Sequence, residues 1–385
     1  MEQAKKDKAT KNPGAQMCVA AKRLRDTYAI MPGIPFYKHE DFYYSLEVWK
    51  EQGMPQDVLL SDLFDFDPPG NHSLNQLGGT EATFEPAFEV KILEDRGDYE
   101  VEQDFAGRQV LYFKGRRQGF MPTYIDHPVK DMKTWEENIK WRMDPKNPKR
   151  YADLEERMKK AQDAAAKGLM ITQNLVGGYM YLRSLMGSES LLYAFHDMPE
   201  VIHACMQMWL ELADAVIARH QEYLTLDEIF FDEDICYNSG SLISPQMMQI
   251  FLFPYYQQLI RNVKSRQIDK TRHLYIQVDS DGHSEAIIPF YQKSIGMDVM
   301  TPFEVASGCD VVKIGKTYPD LVLIGGIDKR VLAQGQEAID AHLARIIPAM
   351  RKRGGYIPTC DHGVPSEVSY QDYLYYRKRC VELGS

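Results

Sequence analysis

Polar side chains that can do chemistry recur in the second half of the chain, each time directly after a short apolar run. Carboxylates and imidazoles in such positions can move protons, bind a metal or bind a polar substrate. Single Asp and Asn residues there also cap helices and form turns. Several together are harder to explain in that way and predict one functional site. The residues are Asn174, Asp232, Glu233, Asp234, Asp279, Asp281, His283, Glu304, Asp328, Cys360, Asp361 and His362.

The carboxylates of this set pose an electrostatic problem. If Asp232, Glu233 and Asp234 lie beside Asp279 and Asp281, they repel one another unless a cation, a basic substrate group or shared protons compensate. No basic partner is obvious near them in the sequence. This pattern favours a metal or a cationic ligand.

Two short motifs bear on a metal. The segment 279–283 alternates Asp, Asp and His and resembles a hard-cation site, although the rest of a calcium loop is absent. Cys360 and His362 stand two apart after the last apolar run, and zinc accepts Cys, His and Asp ligands together. Cys309 is expected at the same end of the fold. The alternative for both cysteines is that each is a small buried filler.

Alternating strand and helix patterns must position these side chains. Such alternation, at intervals of about 25–45 residues, requires parallel strands joined by crossover helices. Apolar runs near 34–37 and 57–60 bring the strand count to eight, so the predicted fold is α/β, a (β/α)8 TIM barrel with its active site at the carboxyl ends of the strands. A doubly wound open sheet is the alternative, but the Gly-rich loop typical of it is absent. The other predicted strands are 169–175, 228–236, 273–278, 298–302, 321–327 and 355–359.

The rest of the chain completes one expected domain. Residues 1–15 are polar and predict a disordered tail, and 16–385 predict a single barrel domain. N-terminal helices are expected at about 16–30 and 41–52. Three runs with period-2 features within about 84–115 are joined by turns too short for parallel strands, so they predict an inserted β-meander.

Composition excludes several classes of partner. The 385-residue chain has a net charge of −10 and no basic stripe to neutralise phosphates, so no nucleic acid is expected. The N-terminus lacks the apolar core of a secretory signal. No stretch approaches the roughly 18 apolar residues of a membrane span. The six cysteines are scattered without a CxxC, which favours a reducing cytoplasm over a disulfide framework.

Four segments together resemble signatures of the uroporphyrinogen decarboxylase-like superfamily in order and spacing. With residues 49–55, the resemblance covers roughly 30–383 of the chain. The superfamily fold is a single (β/α)8 barrel, which agrees with the strand count. The four segments are EDICYNSGSLISPQMMQIFLFPYYQQL (233–259), VDSDGHSEAIIPFYQKSIGMDVMTPFE (278–304), LIGGIDKRVLA (323–333) and GGYIPTCDHGVPSEVS (354–369).

The resemblance implies a choice between two chemistries. True uroporphyrinogen decarboxylases carry an Arg-rich motif near the first strand that grips the carboxylates of the porphyrinogen. The matching stretch here, MPGIPFYKHEDFYYS (31–45), contains no Arg, so porphyrinogen decarboxylation is not expected. The other branch comprises corrinoid-linked methyltransferases, whose zinc, held by a His-x-Cys pair and a later Cys, activates a thiol or binds a methyl donor. The sequence is closer to this second branch.

The ligands that this branch implies are altered in this chain. The His-x-Cys positions hold Asp279 and Asp281, and the later Cys aligns with His362, two residues after Cys360. The resemblance therefore implies zinc or another divalent metal bound by Asp281, Cys360 and His362, with Cys309 as a further candidate. These ligands are harder than thiolates and favour oxygen-type substrates, as in ether or alcohol demethylation.

The sequence thus predicts an enzyme that moves a methyl group between a small methylated substrate and cobalamin carried by a corrinoid protein. Glu233, Glu304 and Asp328 are the expected catalytic carboxylates. One alternative is a decarboxylase or related lyase that grips a small acid with Arg183 and Arg330. Another is a barrel that has lost its chemistry and binds a ligand or partner. A monomer or homodimer is expected. The expected substrate-binding residues are Asn174, Tyr179, Asp234, Gln277, Asp279 and His283.

Overall fold

The computed structural model of the protein describes residues 17–115 and 122–384, so the predicted tail at 1–15 lies outside the described residues. Among the described residues, one sheet consists of seven parallel strands, which pair in the order Asn71–Leu77, Met170–Val176, Glu228–Asp232, Tyr275–Asp279, Val299–Thr301, Val322–Ile324 and Tyr356–Ile357. The strands are β1 (Asn71–Leu77), β2 (Lys91–Arg96), β3 (Tyr99–Gln103), β4 (Gln109–Phe113), β5 (Thr123–Asp126), β6 (Met170–Val176), β7 (Glu228–Asp232), β8 (Cys236–Tyr237), β9 (Gly240–Ser241), β10 (Tyr275–Asp279), β11 (Val299–Thr301), β12 (Val322–Ile324) and β13 (Tyr356–Ile357).

Extended chain, rather than a regular strand, fills the eighth position between β13 and β1. The ring of Phe36 packs on Tyr356 of β13, with centroids 5.6 Å apart. On the other side, two hydrogen bonds join Lys38 and Asp67. The Asp67 N–H donates to the Lys38 carbonyl at 3.0 Å, and the Lys38 N–H donates to the Asp67 carboxylate at 2.8 Å. The prediction of a regular strand at 34–37 is wrong in this detail. The (β/α)8 barrel itself is confirmed.

The other early strand was predicted in the wrong place. Residues 57–60 do not form a strand, and a short helix begins at Leu60. The strand beside β6 is β1, whose sequence NHSLNQL was not predicted because only its two leucines are apolar. Those two leucines are buried, and they are enough to anchor the strand against its neighbour. The predicted helix at 41–52 is confined to Ser45–Glu51.

The alternation of side chains along the strands decides which residues face the barrel interior. On β7, Phe231 points toward the outer helices and packs against Trp209 and Tyr256. Because successive strand residues point to opposite faces, Asp232 faces the interior and Glu233 faces the same side as Phe231. The same rule places Asp279 toward the interior at the end of β10.

Crossover helices surround the sheet. Helix Pro199–Gln221 is, among the described helices, the one long and apolar enough to cross a membrane by length and composition alone. It packs on the barrel, with Trp209 buried and its indole N–H donating to the Val176 carbonyl at 2.9 Å, so we describe it as a barrel helix. The described α-helices are Val19–Tyr28, Ser45–Glu51, Leu60–Leu63, Met132–Asn138, Leu154–Ala166, Gly178–Met186, Ser188–Asp197, Pro199–Gln221, Pro245–Phe251, Phe253–Arg266, Ile288–Ile295, Val311–Thr317, Lys329–Leu332, Gln336–Arg353 and Tyr370–Gly384.

The region of the expected β-meander forms a separate antiparallel sheet, in the order β2-β3-β4-β5. It begins at Lys91 and continues to Asp126, beyond the predicted end near 115. Arg108, in the turn before β4, forms buried ion pairs with Asp104 and with Glu81 from the loop after β1. The inserted sheet is therefore tied to the loop that follows the first barrel strand.

Candidate functional site

The carboxyl ends of β7 and β10 lie side by side at the mouth of the barrel. Asp232 and Asp279 are register partners. The Asp279 carbonyl accepts hydrogen bonds from the backbone N–H groups of Glu233 and Asp234 at 3.0 and 3.1 Å. Asp234 turns the chain there with a φ of 39°, in the left-handed region that few non-glycine residues adopt. Asp281 follows two residues after Asp279, so two adjacent loops present four Asp side chains.

Crowding and burial raise the pKa values of three of these carboxyl groups. Burial, reinforced by Asp232, raises the pKa of Asp279 well above its usual range. Burial, reinforced by Asp234, raises the pKa of Asp281 to about 7 and that of Asp232 to about 6. Burial disfavours the charged form, and like charges nearby disfavour it further. The mouth therefore holds protons near neutral pH unless a cation takes their place.

Within residues 17–115 and 122–384, the basic side chains that reach this cluster are Arg183 and Lys329, and both are already paired with carboxylates. Arg183 forms an ion pair with Asp234. The Lys329 Nζ lies 3.1 Å from Oε1 of Glu304, whose other oxygen accepts the Gly282 N–H at 2.8 Å. Lys329 was missed in the sequence, although it directly follows the last predicted catalytic carboxylate in the LIGGIDKR motif. The sequence showed no obvious basic partner near the carboxylates. The structure corrects this expectation, because Arg183 and Lys329 both reach the cluster.

Asp281 and His362 are the two predicted metal ligands that the structure brings together. Their Oδ2 and Nε2 atoms lie 3.2 Å apart. The Tyr43 hydroxyl hydrogen-bonds the His362 ring, and the two rings lie 5.0 Å apart. Burial lowers the pKa of His362, with Asp41 opposing the shift. The imidazole is thus neutral at the pH where Asp281 releases its proton, and the pair can move a proton near neutral pH.

The two predicted cysteine ligands, Cys360 and Cys309, are buried and have other partners. Cys360 is buried, its N–H donates to Oε1 of Glu40 at 2.9 Å, and burial reinforced by Glu40 raises the pKa of its thiol well above the usual range. Cys309 is buried with its Sγ 3.7 Å from the Gly282 carbonyl, and burial raises the pKa of its thiol as well.

The donor set at the mouth does not fit the zinc site that the resemblance implies. Within residues 17–115 and 122–384, no three His, Cys, Asp or Glu side chains are grouped so that they could hold a metal ion. Asp281 and His362 supply two donors, whereas a catalytic zinc has three protein ligands. The candidate metal ligands of this chain therefore differ from those that the corrinoid-linked methyltransferase branch implies, in their arrangement as well as in residue type.

Glu233, a predicted catalytic residue, lies behind the mouth. Its carboxylate accepts the Tyr179 N–H at 3.1 Å and the Tyr256 hydroxyl at 2.6 Å. Burial raises its pKa to about 7, and these hydrogen bonds oppose the shift. Glu233 is completely buried and faces the helical layer. Through these contacts, Glu233 holds the start of helix Gly178–Met186 against β7.

Tyr179 lies at the edge of the mouth. Its ring is fully buried, and its hydroxyl has no hydrogen-bond partner among the described residues. Burial raises its pKa to about 12, and the nearby charges of Arg183 and Asp234 act in opposite directions. The predicted lining residue therefore sits beside the Arg183–Asp234 ion pair with an unused hydroxyl.

Asp328 and Gln277 have partners that explain them without a substrate. Asp328 caps helix Lys329–Leu332, accepting the Arg330 N–H at 2.9 Å and pairing with its guanidinium at 2.8 Å. These bonds lower the pKa of Asp328 despite its burial. Gln277 accepts a hydrogen bond from the Tyr28 hydroxyl at 3.0 Å, near the amino ends of the strands. The structure thus does not place Gln277 with the cluster at the mouth.

The last two predicted substrate-binding residues have local partners. Asn174 donates to the Asn75 side chain at 2.8 Å, between the carboxyl halves of β6 and β1. The His283 Nδ1 lies 2.8 Å from the Ser307 carbonyl, which fixes the ring orientation. Both lie on the side of the barrel that carries the cluster.

The inserted sheet contributes to the rim, a role that the sequence did not reveal. Glu81, held by Arg108 at 2.6 Å, is among the charges that raise the pKa of Asp232. The Arg108 guanidinium lies over the Tyr124 ring at 4.7 Å. Gly79 lies beside Asp232, since a Cβ added there would be in van der Waals contact with the Asp232 carboxylate at 3.5 Å.

Comparisons with known proteins agree with this architecture. Residues 115–377 match the model of the family described as uroporphyrinogen decarboxylase (URO-D). A search of curated proteins found no match. A methyltransferase from Methanosarcina mazei superposes with a TM-score of 0.56 at 12% identity, covering 94% of this chain and 98% of that one. A B12-independent methionine synthase from Shewanella sp. W3-18-1 gives 0.33 at 14% identity, covering 73% and 74%. The first likeness concerns the fold alone, and the second carries no argument.

Proposed function

The chain belongs to the uroporphyrinogen decarboxylase family, and we propose that within it the protein is a methyltransferase for a small, positively charged methylated substrate. Membership makes it an enzyme of the methyltransferase and decarboxylase superfamily. The methyl group would pass to or from cobalamin carried by a partner corrinoid protein. Its fold likeness to a methanogen methyltransferase is in keeping with this choice.

The observation that carries the proposal is the unbalanced acidity of the mouth among the residues that the structure describes. Asp279, Asp281 and Asp232 have raised pKa values, and the nearby Arg183 and Lys329 are already paired with other carboxylates. A cationic ligand removes the repulsion and replaces the stored protons. A negatively charged ligand adds to the repulsion.

Aromatic side chains at the rim favour a methylated ammonium group in particular. Tyr43 is 47% exposed and packs beside His362 with its ring tilted, and Tyr237 is 48% exposed in the hairpin that follows Asp234. The faces of aromatic rings attract quaternary ammonium groups by about 0.5–2 kcal/mol per contact. Carboxylates together with exposed tyrosines form the chemical surroundings that such cations require.

Methyl transfer from this substrate class needs little help from acids or metals. The carbon–nitrogen bond breaks, its electron pair stays on nitrogen, and a neutral amine leaves without taking up a proton. Asp279 and Asp281, once ionised, hold the cation, and Tyr43 with His362 restrict its position. No step is assigned to a metal, because the donor set does not fit one.

The carboxy-lyase alternative requires a free cationic clamp for the substrate carboxylate. Arg183 is bound to Asp234, and Arg330 is bound to Asp328, the carboxylate that caps its own helix. Among the described residues, Lys329 is the further base at the mouth, and it is bound to Glu304. Decarboxylation would require one of these pairs to open.

The cytoplasmic location remains part of the proposal. All six cysteines are free, which is in keeping with a reducing compartment. The partner corrinoid protein would be present in the same compartment.

An isotope-transfer assay tests the proposal. Purified protein is incubated with deuterated tetramethylammonium or deuterated choline and free cob(I)alamin, and the label on the corrinoid is measured by mass spectrometry. We expect transfer by the native protein, a loss of roughly tenfold or more in Asp279→Asn, and no change in Asp163→Asn, an exposed carboxylate on helix Leu154–Ala166. Release of CO2 from small acids, without methyl transfer, would instead establish the lyase alternative.

A further inference from the structure

Two asparagine side chains face each other inside the barrel, below the aspartates of the mouth. Asn174 lies two residues before the end of β6, and its side-chain N–H donates to Oδ1 of Asn75 on β1 at 2.8 Å. The preceding Gln173 points outward and bonds His220 of helix Pro199–Gln221, so Asn174 faces the interior. Branched apolar side chains usually fill the interior of such a barrel, so a pair of amides is unusual there.

An irregularity in β1 turns Asn75 toward the same space. Three steps along β1, from Leu74 to Leu77, match two steps along β6, from Gln173 to Leu175. Leu74 and Leu77 are both buried, although side chains three residues apart in a regular strand point to opposite faces. The extra residue lets both leucines pack on the outer side, while Asn75 between them stays exposed. Bulges of this kind re-aim side chains beside functional sites.

The two amides keep one hydrogen-bond donor and one acceptor unused. Among the described residues, the hydrogen bond between them is the one that either side chain makes. Nδ2 of Asn75 is therefore left as a donor and Oδ1 of Asn174 as an acceptor. If both amides turned over, the direction of the bond would reverse, and one donor and one acceptor would still remain. Asn75 is exposed and Asn174 is partly exposed, so a ligand can reach both.

The amide pair lies within reach of a cation held by the aspartates. Asn174 is the register partner of Phe230, and Val176 is that of Asp232. Asn174 and Asp232 are thus one strand and two residues apart, which places their Cα atoms roughly 8 Å apart. Phe230 faces the interior next to them, because Phe231 points toward the helices. An ammonium group, a two-carbon arm and a hydroxyl can together span this distance, with the arm against Phe230.

We propose that Asn75 and Asn174 form a subsite for the hydroxyl group of a hydroxyalkyl trimethylammonium substrate, an inference that rests on the proposed function. The Asn75 N–H donates to the hydroxyl oxygen, and the hydroxyl donates to the Asn174 carbonyl. A carboxylate in the same place would use the donor alone, and the aspartates would repel it. The substrate is therefore a cationic alcohol of the choline type.

Calorimetric titration of the full chain compares choline with propyltrimethylammonium, which has a methyl group in place of the hydroxyl. We expect choline to bind roughly three- to tenfold more tightly, as one added hydrogen bond between uncharged groups provides. Glycine betaine, which carries a carboxylate on its arm, should bind more weakly than choline. Tighter binding of betaine would contradict the subsite.

Matched variants assign the preference to the two amides. In Asn75→Leu and in Asn174→Leu, the affinities for the two cations should become equal within about twofold. Asn262→Leu removes an amide from the outer helix Phe253–Arg266 and should leave the preference unchanged.

The outcomes separate this inference from the proposed function. Equal binding of choline and propyltrimethylammonium by the native protein would overturn the subsite and leave the cation site standing, and it requires no variant to fold. A preference for choline that persists in both Asn75→Leu and Asn174→Leu would also overturn the subsite. If neither cation binds, the proposed function fails, and the subsite fails with it.

Discussion

Replacement of Asp281 by Asn should change how the stability of the protein depends on pH. The pKa of Asp281 rises from its usual 3.8 to about 7 in the folded protein, because of burial and then because of Asp234. Between these two values the folded protein keeps a proton that the unfolded chain has released. Unfolding therefore releases a proton, and the stability contributed by this group falls as the pH rises through about 4 to 7.

The magnitude follows from the size of the shift and from exposure. A shift of about three pKa units corresponds to roughly 4 kcal/mol at most. The Asp281 side chain is 41% exposed, so solvent screening reduces the expected effect to about 1–2 kcal/mol. Asn has nearly the same shape and no titratable group. The substitution also removes the repulsion that an ionised Asp281 exerts on Asp279. This too favours the variant over the native protein as the pH rises.

Urea unfolding at several pH values between about 5 and 8 measures this effect as a difference in free energy of unfolding. The free energy of unfolding of the native protein minus that of Asp281→Asn should fall by about 1–2 kcal/mol across that interval. The control Asp163→Asn removes an exposed carboxylate and should give a constant difference. A difference that is flat or that rises with pH would show that Asp281 is ionised throughout, and the account of the crowded mouth would be refuted.

Three further predictions follow from the contacts at and around the mouth. Binding of tetramethylammonium should release protons and become tighter from about pH 6 to pH 8, because the cation favours the ionised forms of Asp232 and Asp281; calorimetry in buffers of different ionisation enthalpy measures the protons released, and proton uptake would contradict the prediction. Glu233→Gln should lower the free energy of unfolding by about 1–3 kcal/mol, because two buried hydrogen bonds to its carboxylate are disturbed, and tetramethylammonium affinity should change little in the folded fraction. Cys360→Ser should leave tetramethylammonium affinity within about twofold, because the thiol is buried against Glu40; a loss of tenfold or more would restore Cys360 as a ligand.

The barrel could be predicted from the sequence because its parallel strands are buried on both faces and read as short apolar runs. The run predicted at 169–175, for example, overlaps β6 (Met170–Val176), which is buried along almost its whole length. The strand β1 could not be found in this way, because its polar residues outnumber its two buried leucines. The early run at 34–37 is apolar, but it and the adjacent Lys38 are held by side-chain contacts and single hydrogen bonds rather than by a regular ladder.

The candidate site was predictable in position and less so in detail. The rule that strand ends carry function brought Asp279, Asp281 and His362 to one place. It does not tell which way a side chain points, and the period-2 alternation that turns Glu233 toward the helices was the unused signal. The partners of Lys329 depend on contacts between residues distant in sequence, which no local pattern encodes.

Titration calorimetry at about pH 8 with tetramethylammonium and with acetate tests the central claim most directly, because it asks which charge the mouth accepts. The account predicts that tetramethylammonium binds the native protein, that Asp281→Asn weakens it by about five- to tenfold, and that acetate binding, if any, is unaffected by that substitution. Acetate binding that tightens in Asp281→Asn, with no binding of tetramethylammonium, would contradict it.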